Sequence, residues 1–400
     1  MNVSDAYFLG PRVDRSISIG LAIAVGLLSL IAFYPQIFGH HESKLAWTGG
    51  LTDMYYHLLS VQEMSHRWQW NLYSLFYLLV YALSFGTGNF FGISCAAMFV
   101  LTVSVVAKGV LCYFIITNAV GRRLSAALAS IALVLVMPLP NWWKPEQIFV
   151  DKIAPNCWFN STFILTMPFA ILLFFSALSW LRTLSLRSWL WVVVFSLLSV
   201  LTKPNYVLAF MPTLGIAVLI RLGLNRGSEL GRTLLFSAGL GILVIFVLGL
   251  QYAETYMSST GTTSAPHDSA QTIIAPFAVW RLYSPNIPAS LLLSIAFPLS
   301  VVILYFRESK SNPTVLMAWG VFAIAVLQYV FLAESGESLA DGNWGWGSNI
   351  AVYILFLVSA MVVLQQPRSW RYYFVAMFFG LHLASGIYYF AKIANGFGYL

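Results

Sequence analysis

The stretch LYSLFYLLVYALSFGTG at residues 72–88 decides how the whole chain is threaded. Its apolar run, residues 72–85, is followed at once by Gly86 and Gly88. A helix that crosses a hydrocarbon core of about 30 Å needs about 20 apolar residues, and this run is shorter. Counted as a crossing, it would put Arg122 and Arg123 on the opposite side from Arg12 and Arg15. Left uncounted, alternation places seven basic clusters on one side: Arg12/Arg15, Arg122/Arg123, Arg182/Arg187, Arg221/Arg226, Arg232, Arg307/Lys310 and Arg368/Arg371. These hold thirteen of the twenty-one Lys and Arg residues, the pattern that cytoplasmic loops follow. The run is therefore read as a helix at, or dipping into, the outer interface. A reporter enzyme fused at Gly121 is expected to be cytoplasmic, and a periplasmic signal there overturns the threading.

Working outward, eleven segments are long and apolar enough to be read as spans: residues 17–36, 91–117, 125–138, 161–181, 188–202, 204–220, 233–252, 287–306, 315–332, 349–364 and 372–390. The chain is 59% hydrophobic and only 9% charged, with a mean hydropathy of +0.79. A soluble domain carries about 25% charged residues, so a soluble globule is excluded. The expected fold is all-α, a single polytopic membrane domain over residues 1–400 with interfacial helices in the first outer loop. The N-terminus is expected in the cytoplasm and the C-terminus outside, with the first span an uncleaved anchor. The basic balance is accounted for by topology, and no basic stretch interleaved with aromatics suggests nucleic acid. Cys95, Cys112 and Cys157 have neither metal-like nor disulfide-like spacing and read as packing residues. The cytoplasmic loops leave no room for a nucleotide-binding domain.

The outer loops, residues 37–92, 139–160, 253–286 and 333–348, collect Trp, His, Asn, Gly and most of the carboxylates. In the first, TDMYYHLLSVQEMSHRWQW at residues 52–70 has helical periodicity. Met54, Leu58 and Val61 share one face; Asp53, His57 and Ser60 share another. Asp53 suits a helix start by its charge. Such a helix is expected to lie on the outer leaflet with its apolar side down.

An Asp directly after the first span, on a Tyr- and His-bearing interfacial helix followed by a second apolar one, resembles the first outer loop of the GT-C glycosyltransferases. These are integral-membrane enzymes that take a sugar from a polyprenyl-phosphate or polyprenyl-diphosphate carrier. The resemblance covers residues 53–85 and, more loosely, the eleven-span layout. It implies that Asp53 is the base of the reaction or the ligand of a metal. Inverting transfer needs a carboxylate to take the acceptor's proton and a cation to steady the departing phosphate.

Further candidates come from the other loops. Asp53 with His57 has a spacing that could ligate a divalent metal, and His57 alone could contact substrate. His40 and His41 read as solvated. Lys203, in the tight turn LTKPN, and Arg281, in VWRLYSP, are candidate phosphate contacts at the outer edge. The loop ESGESLADGNWGWGS at residues 334–348 gathers Glu334, Glu337 and Asp341, whose carboxylates can bond sugar hydroxyls, with Trp344 and Trp346, whose faces can stack on a sugar ring; Asp341 and Trp344 are taken as the site candidates. The loop at residues 138–160 adds Trp142, Trp143, Trp158, Glu146, Asn156 and a solvated Asp151–Lys152 pair. Its Asn160-Ser161-Thr162 matches a glycosylation sequon at a span edge and is discounted. Lys108, the one charge inside a span, is expected to snorkel toward the cytoplasmic end, with no partner evident.

The resemblance implies transfer of a hexose or pentose from a polyprenyl-phosphate carrier to an envelope glycan or lipid on the non-cytoplasmic face. The short outer loops and the lack of a retention signal point to a bacterial inner membrane, with the endoplasmic reticulum as the alternative. Two other classes stand beside the transferase: a polysaccharide polymerase or membrane acyltransferase, and a transporter or flippase. A polysaccharide polymerase would carry more outer arginines than Arg67 and Arg281. An acyltransferase would need a His or Arg near its early spans, whereas His382 comes late. A lipid-linked sugar transporter would show mid-membrane charges beyond Lys108.

Overall fold

The computed structural model describes residues 14–39, 53–67, 75–141, 149–224, 229–256 and 271–395. Arg12, His40, His41, Trp142, Trp143, Glu146 and Arg226 lie outside them, as does the side chain of Arg67. The chain runs through α1 (Arg15–Phe38), the short helices α2 (Asp53–Arg67) and α3 (Leu75–Leu83), then α4 (Phe90–Val120) and α5 (Arg123–Leu135). It continues through α6 (Ser161–Thr183), α7 (Leu186–Thr202), α8 (Asn205–Leu224) and α9 (Leu230–Tyr256). After α10 (Ala278–Tyr283) come α11 (Ile287–Leu304), α12 (Phe306–Lys310), α13 (Pro313–Phe331), α14 (Trp346–Gln365) and α15 (Trp370–Ala394). Among the described residues nine helices are long and apolar enough to cross a membrane, and α5 and α7 are shorter apolar helices. The protein is an all-α polytopic membrane protein, and the eleven expected spans each coincide with one of these helices.

Polar caps set the helix starts. Asn89, Asn160, Ser185, Asn286 and Asn312 accept from first-turn amides of α4, α6, α7, α11 and α13. Gly121 ends α4 at φ 78°, a left-handed conformation that glycine adopts without steric cost. The most enclosed helix is α14, buried from 347 to 363. Around it pack α4, α8, α11 and α13. On the periphery, Ile19, Ile23 and Leu27 of α1 and Leu235, Ile242 and Ile245 of α9 face outward, as lipid-facing residues would.

Contacts between helix ends sort the loops to two ends of the bundle. At one, Arg123 meets Asp14 at 3.4 Å, Arg221 meets Glu229 at 2.5 Å, and Gln365 donates to the Ala119 carbonyl at 3.1 Å. At the other, the α1–α4, α5–α6, α7–α8 and α13–α14 connections touch one another through Asp53, Asn160, Lys203, Asn205 and Asn343. At its helical rise α3 is about 14 Å long, too short to cross, and it packs beside α4. The apolar face of α2 differs from the expectation. Met54, Leu58 and Val61 are fully buried against protein, because α3 and α4 cover them in place of lipid.

A second departure concerns the α5–α6 connection. As a helix of 13 residues, α5 is about 20 Å long. The chain then runs extended through residues 136–141 between α11 and α15. Met137 N donates to the His382 carbonyl at 3.1 Å, and Leu139 N to that of Leu293 at 3.0 Å. Gly386 lets α15 approach so closely that a Cβ there would lie 1.8 Å from the Leu135 carbonyl oxygen. Residues 151–160 are all buried although none is helical. Irregular backbone survives at such depth only when protein satisfies it. Ser294 Oγ accepts from Ile153 N at 2.9 Å, Asn349 Oδ1 from Ala154 N at 3.0 Å, and Gln36 Nε2 donates to the Trp158 carbonyl at 3.1 Å. One small antiparallel pair, β1 (Thr272–Ile274) with β2 (Leu332–Glu334), ties the α9–α10 and α13–α14 connections together and has no clear sequence signal.

Candidate functional site

A cavity of about 420 Å³ opens where these connections meet. Asp53 and His57 of α2 line it, with Asn160 at the start of α6, Lys203 from the α7–α8 turn, Asp341 from the α13–α14 connection and Trp346 at the start of α14. Asp53 stands in the first turn of α2, its side chain 28% exposed. Asn160 Nδ2 donates to Asp53 Oδ2 at 2.9 Å, Thr162 Oγ1 donates to Asn160 Oδ1 at 3.0 Å, and Lys203 Nζ donates to Thr162 Oγ1 at 3.2 Å. This polar chain fixes the carboxylate and the ammonium on one wall. The Lys203 ammonium also lies 4.4 Å from the Trp346 ring centre, within cation–π range.

Burial pushes the Asp53 carboxyl upward. The His57 ring beside it, the Lys203 ammonium and the Asn160 amide outweigh that and hold it below its usual value. At neutral pH Asp53 is a carboxylate. Burial pulls Lys203 down to about 8, while Asp53 and Cys157 draw it back up. The Lys203 side chain is thus mostly charged at pH 7 and loses its charge just above. His57 Nε2 stands 3.6 Å from Asp53 Oδ2, and its Nδ1 is 2.6 Å from the Tyr77 hydroxyl.

Two expected site residues fall elsewhere. Arg281 does not line the cavity; its guanidinium packs over the Phe277 ring at 5.6 Å on an exposed helix face. Trp344 does not line it either. A short 3-10 turn at Asn343–Gly345 brings Trp346 to the wall instead, two residues further along. Asp341 lines the cavity, as does Tyr283, whose hydroxyl is pushed up by burial and by the Asp341 charge. As possible metal ligands Asp53 and His57 supply two donors, and no group of three or more His, Cys, Asp or Glu occurs among the described residues.

The 138–160 loop corrects two further expectations. Asp151 and Lys152 are buried and not solvated: Lys152 Nζ meets Asp151 Oδ1 at 2.6 Å, and Asn141 and Ser290 donate to Asp151 Oδ2. Lys108 does not snorkel. It is 5% exposed, its Nζ donates to Asn156 Oδ1 at 2.6 Å, and it lies 4.9 Å from the Tyr353 ring centre. Asn156 in turn donates to the carbonyls of Leu133 and Val136 at 3.0 and 2.8 Å. Lys108 therefore anchors the buried loop that carries Asn160 to Asp53. The Asn160 sequon is no acceptor site in this fold, because its side chain is buried and caps α6.

Comparison of the chain with protein-family models, with curated proteins and with solved structures finds no match. The functional reading therefore rests on the geometry of the site.

Proposed function

We propose that the protein is a glycosyltransferase that moves a sugar from a polyprenyl-phosphate carrier to an acceptor hydroxyl or amine on an envelope glycan or lipid. The observation that carries this reading is the shared cavity: a carboxylate, Asp53, and an ammonium, Lys203, face one hollow at the end of an apolar bundle. Inverting displacement needs those two groups. The acceptor attacks the anomeric carbon and gives its proton to Asp53, and the bond to the phosphate oxygen breaks with its electron pair going to the phosphate. Lys203 supports the phosphate charge as it leaves. As the phosphate engages Lys203, that ammonium supports Asp53 less, and Asp53 becomes a better base. Asp341 and Asn343 line the same cavity and can bond sugar hydroxyls. A membrane-embedded donor suits a site walled by spans, and the expected location is a bacterial inner membrane with the cavity on the non-cytoplasmic face.

The acyltransferase alternative is disfavoured by the environment of His382. Its Nδ1 is 2.7 Å from the Met137 carbonyl and its Nε2 accepts from Phe297 N at 3.4 Å, so both nitrogens serve backbone.

The test is transfer from a synthetic polyprenyl-phosphate sugar in proteoliposomes. Lys203→Met is expected to lower kcat/KM for the donor about a hundredfold, the worth of a strong hydrogen bond to a charged group. Arg281→Ala is expected to leave it within about threefold, since an exposed charge that does not line the cavity contributes little. In the wild type kcat/KM should fall as pH rises through about 8, because Lys203 is charged below that value and neutral above it. Lys203→Arg stays charged and should remove the alkaline fall. Equal activity of Lys203→Met and wild type would reject the phosphate role.

A further inference from the structure

Two buried polar groups of the cavity wall take no part in the chain that joins Asp53 to Lys203. They are Asn349, in the first turn of α14, and Tyr329, in the last turn of α13. Asn349 is 8% exposed and Tyr329 is 9% exposed. Ala154 N donates to Asn349 Oδ1 at 3.0 Å, which fixes the amide with its Nδ2 on the other side. Among the described residues neither Asn349 Nδ2 nor the Tyr329 hydroxyl has a hydrogen-bond partner, and both residues line the cavity. The Tyr329 ring packs on Trp280, ring centres 5.0 Å apart, and on Gly345, where a Cβ would come within 3.1 Å of it. Trp280 Nε1 in turn donates to the Asp151 carbonyl at 3.0 Å, so both groups are seated against the buried segment 151–160. The wall contributed by this stretch of chain is apolar. Phe149, Val150 and Phe159 line the same cavity, and the Phe149 and Phe159 rings meet edge to face at 4.8 Å. Next to it Asp151 and Lys152 neutralise each other at 2.6 Å, with side chains 1% and 0% exposed.

We infer that this part of the cavity is a recognition subsite for an acylamino group, and that the sugar transferred is an N-acylated amino sugar with that group on the carbon beside the anomeric one. This rests on the proposed transferase reading and names its substrate more closely. Asn349 Nδ2 and the Tyr329 hydroxyl can both donate, and one carbonyl oxygen has two lone pairs to receive them. The acyl methyl group then meets Phe149, Val150 and Phe159, where its burial is favourable. A hydroxyl on the same ring carbon ends two bonds short of where the carbonyl oxygen stands. It leaves the two donors unpaired and the apolar wall unfilled. A site built to bond a polar group rejects a substrate that lacks it, because its own buried groups then lose their partner. A carboxylate, as in a uronic acid, would bring an unpaired charge to a wall whose own ion pair is already neutral. A free ammonium would face the Asn349 N–H groups, which are donors too. The position on the ring follows from Phe159. It precedes Asn160, which bonds Asp53 at 2.9 Å, so the apolar wall begins next to the group that takes the acceptor's proton.

The experiment measures how non-hydrolysable polyprenyl-phosphonate sugars bind the full-length protein in lipid nanodiscs. It compares an N-acetylhexosamine with its parent hexose, in the gluco and galacto series. The N-acetyl analogue is expected to bind about thirtyfold or more tighter than its parent in the series that fits. Asn349→Asp keeps an oxygen for Ala154 N and sets a second oxygen against the carbonyl, and should cut that preference at least about tenfold. Tyr329→Phe keeps the ring on Trp280 and should cut it about fivefold. Equal binding of N-acetylated and parent analogues in both series overturns the subsite. So does an unchanged preference in Tyr329→Phe, even if Asn349→Asp fails to fold. Turnover of the corresponding polyprenyl-phosphate sugars in proteoliposomes separates this inference from the reading beneath it. Equal turnover of N-acetylated and parent sugars, lost in Asp53→Asn, removes the subsite alone. Turnover of none of them, or turnover that survives Asp53→Asn, removes the transferase reading and takes the subsite with it.

Discussion

Asp53→Asn is expected to abolish sugar transfer, by about a thousandfold or more, with the fold intact. The amide has the shape of the carboxylate, and its oxygen can still accept from Asn160 Nδ2. Met54 and Leu58, which seat α2, are untouched. What is lost is the cavity carboxylate that stands beside His57 and that the Lys203 charge supports, a group able to take a proton. General-base losses are typically about a hundred- to ten-thousandfold. Removing the negative charge also removes the support that holds the Lys203 pKa up, so Lys203 should lose its proton at lower pH in the variant. The measurement is donor turnover in proteoliposomes, with the thermal midpoint in detergent as the control for folding. Full turnover with an unchanged midpoint would reject the assignment of Asp53.

Asn156→Leu is expected to have the largest effect on stability. It strips the Lys108 ammonium of its hydrogen bond at 2.6 Å and leaves the carbonyls of Leu133 and Val136 without that amide. Leaving a buried charged group and two carbonyls unsatisfied costs about 3 kcal/mol or more. Pairing it with Lys108→Met should recover part of the loss, because replacing a buried polar set with apolar groups of similar size is often near neutral. Activity should not return to the same extent, since the loop ending at Asn160 remains untied. Thermal unfolding of the single and double variants checks this. Equal midpoints for the two would show that Lys108 does not depend on Asn156.

Much of the fold could be read from periodicity and charge. Apolar length marks the spans, and the shortness of the 72–85 run marks α3 as a helix that does not cross. Asp53, His57, Lys203 and Asp341 were legible because charged groups among apolar helices stand out, and the cavity brings all four together. Arg281 and Trp344 misled for a common reason: loop register decides which side chain faces inward, and composition carries no register. The Gly342 turn at φ 62° and the following 3-10 turn set it, and they favour Trp346. The buried path of residues 151–160 was hidden because its stabilisation is long-range. Ser294, Asn349 and Gln36 lie far away in sequence and look like ordinary span residues. Lys108 likewise looked solitary, since its partner lies in a loop that seemed external. The Asp151–Lys152 pair read as solvated because adjacent opposite charges usually are, and only the surrounding helices bury it.

The most direct test of the central claim is a structure of the protein in lipid nanodiscs with a non-hydrolysable polyprenyl-phosphonate sugar. The phosphonate is expected within hydrogen-bonding distance of Lys203 Nζ, with the anomeric carbon turned toward Asp53 and the isoprenoid chain leaving the cavity sideways between spans. A ligand seated elsewhere, with the cavity between Asp53 and Lys203 left empty, would contradict the account.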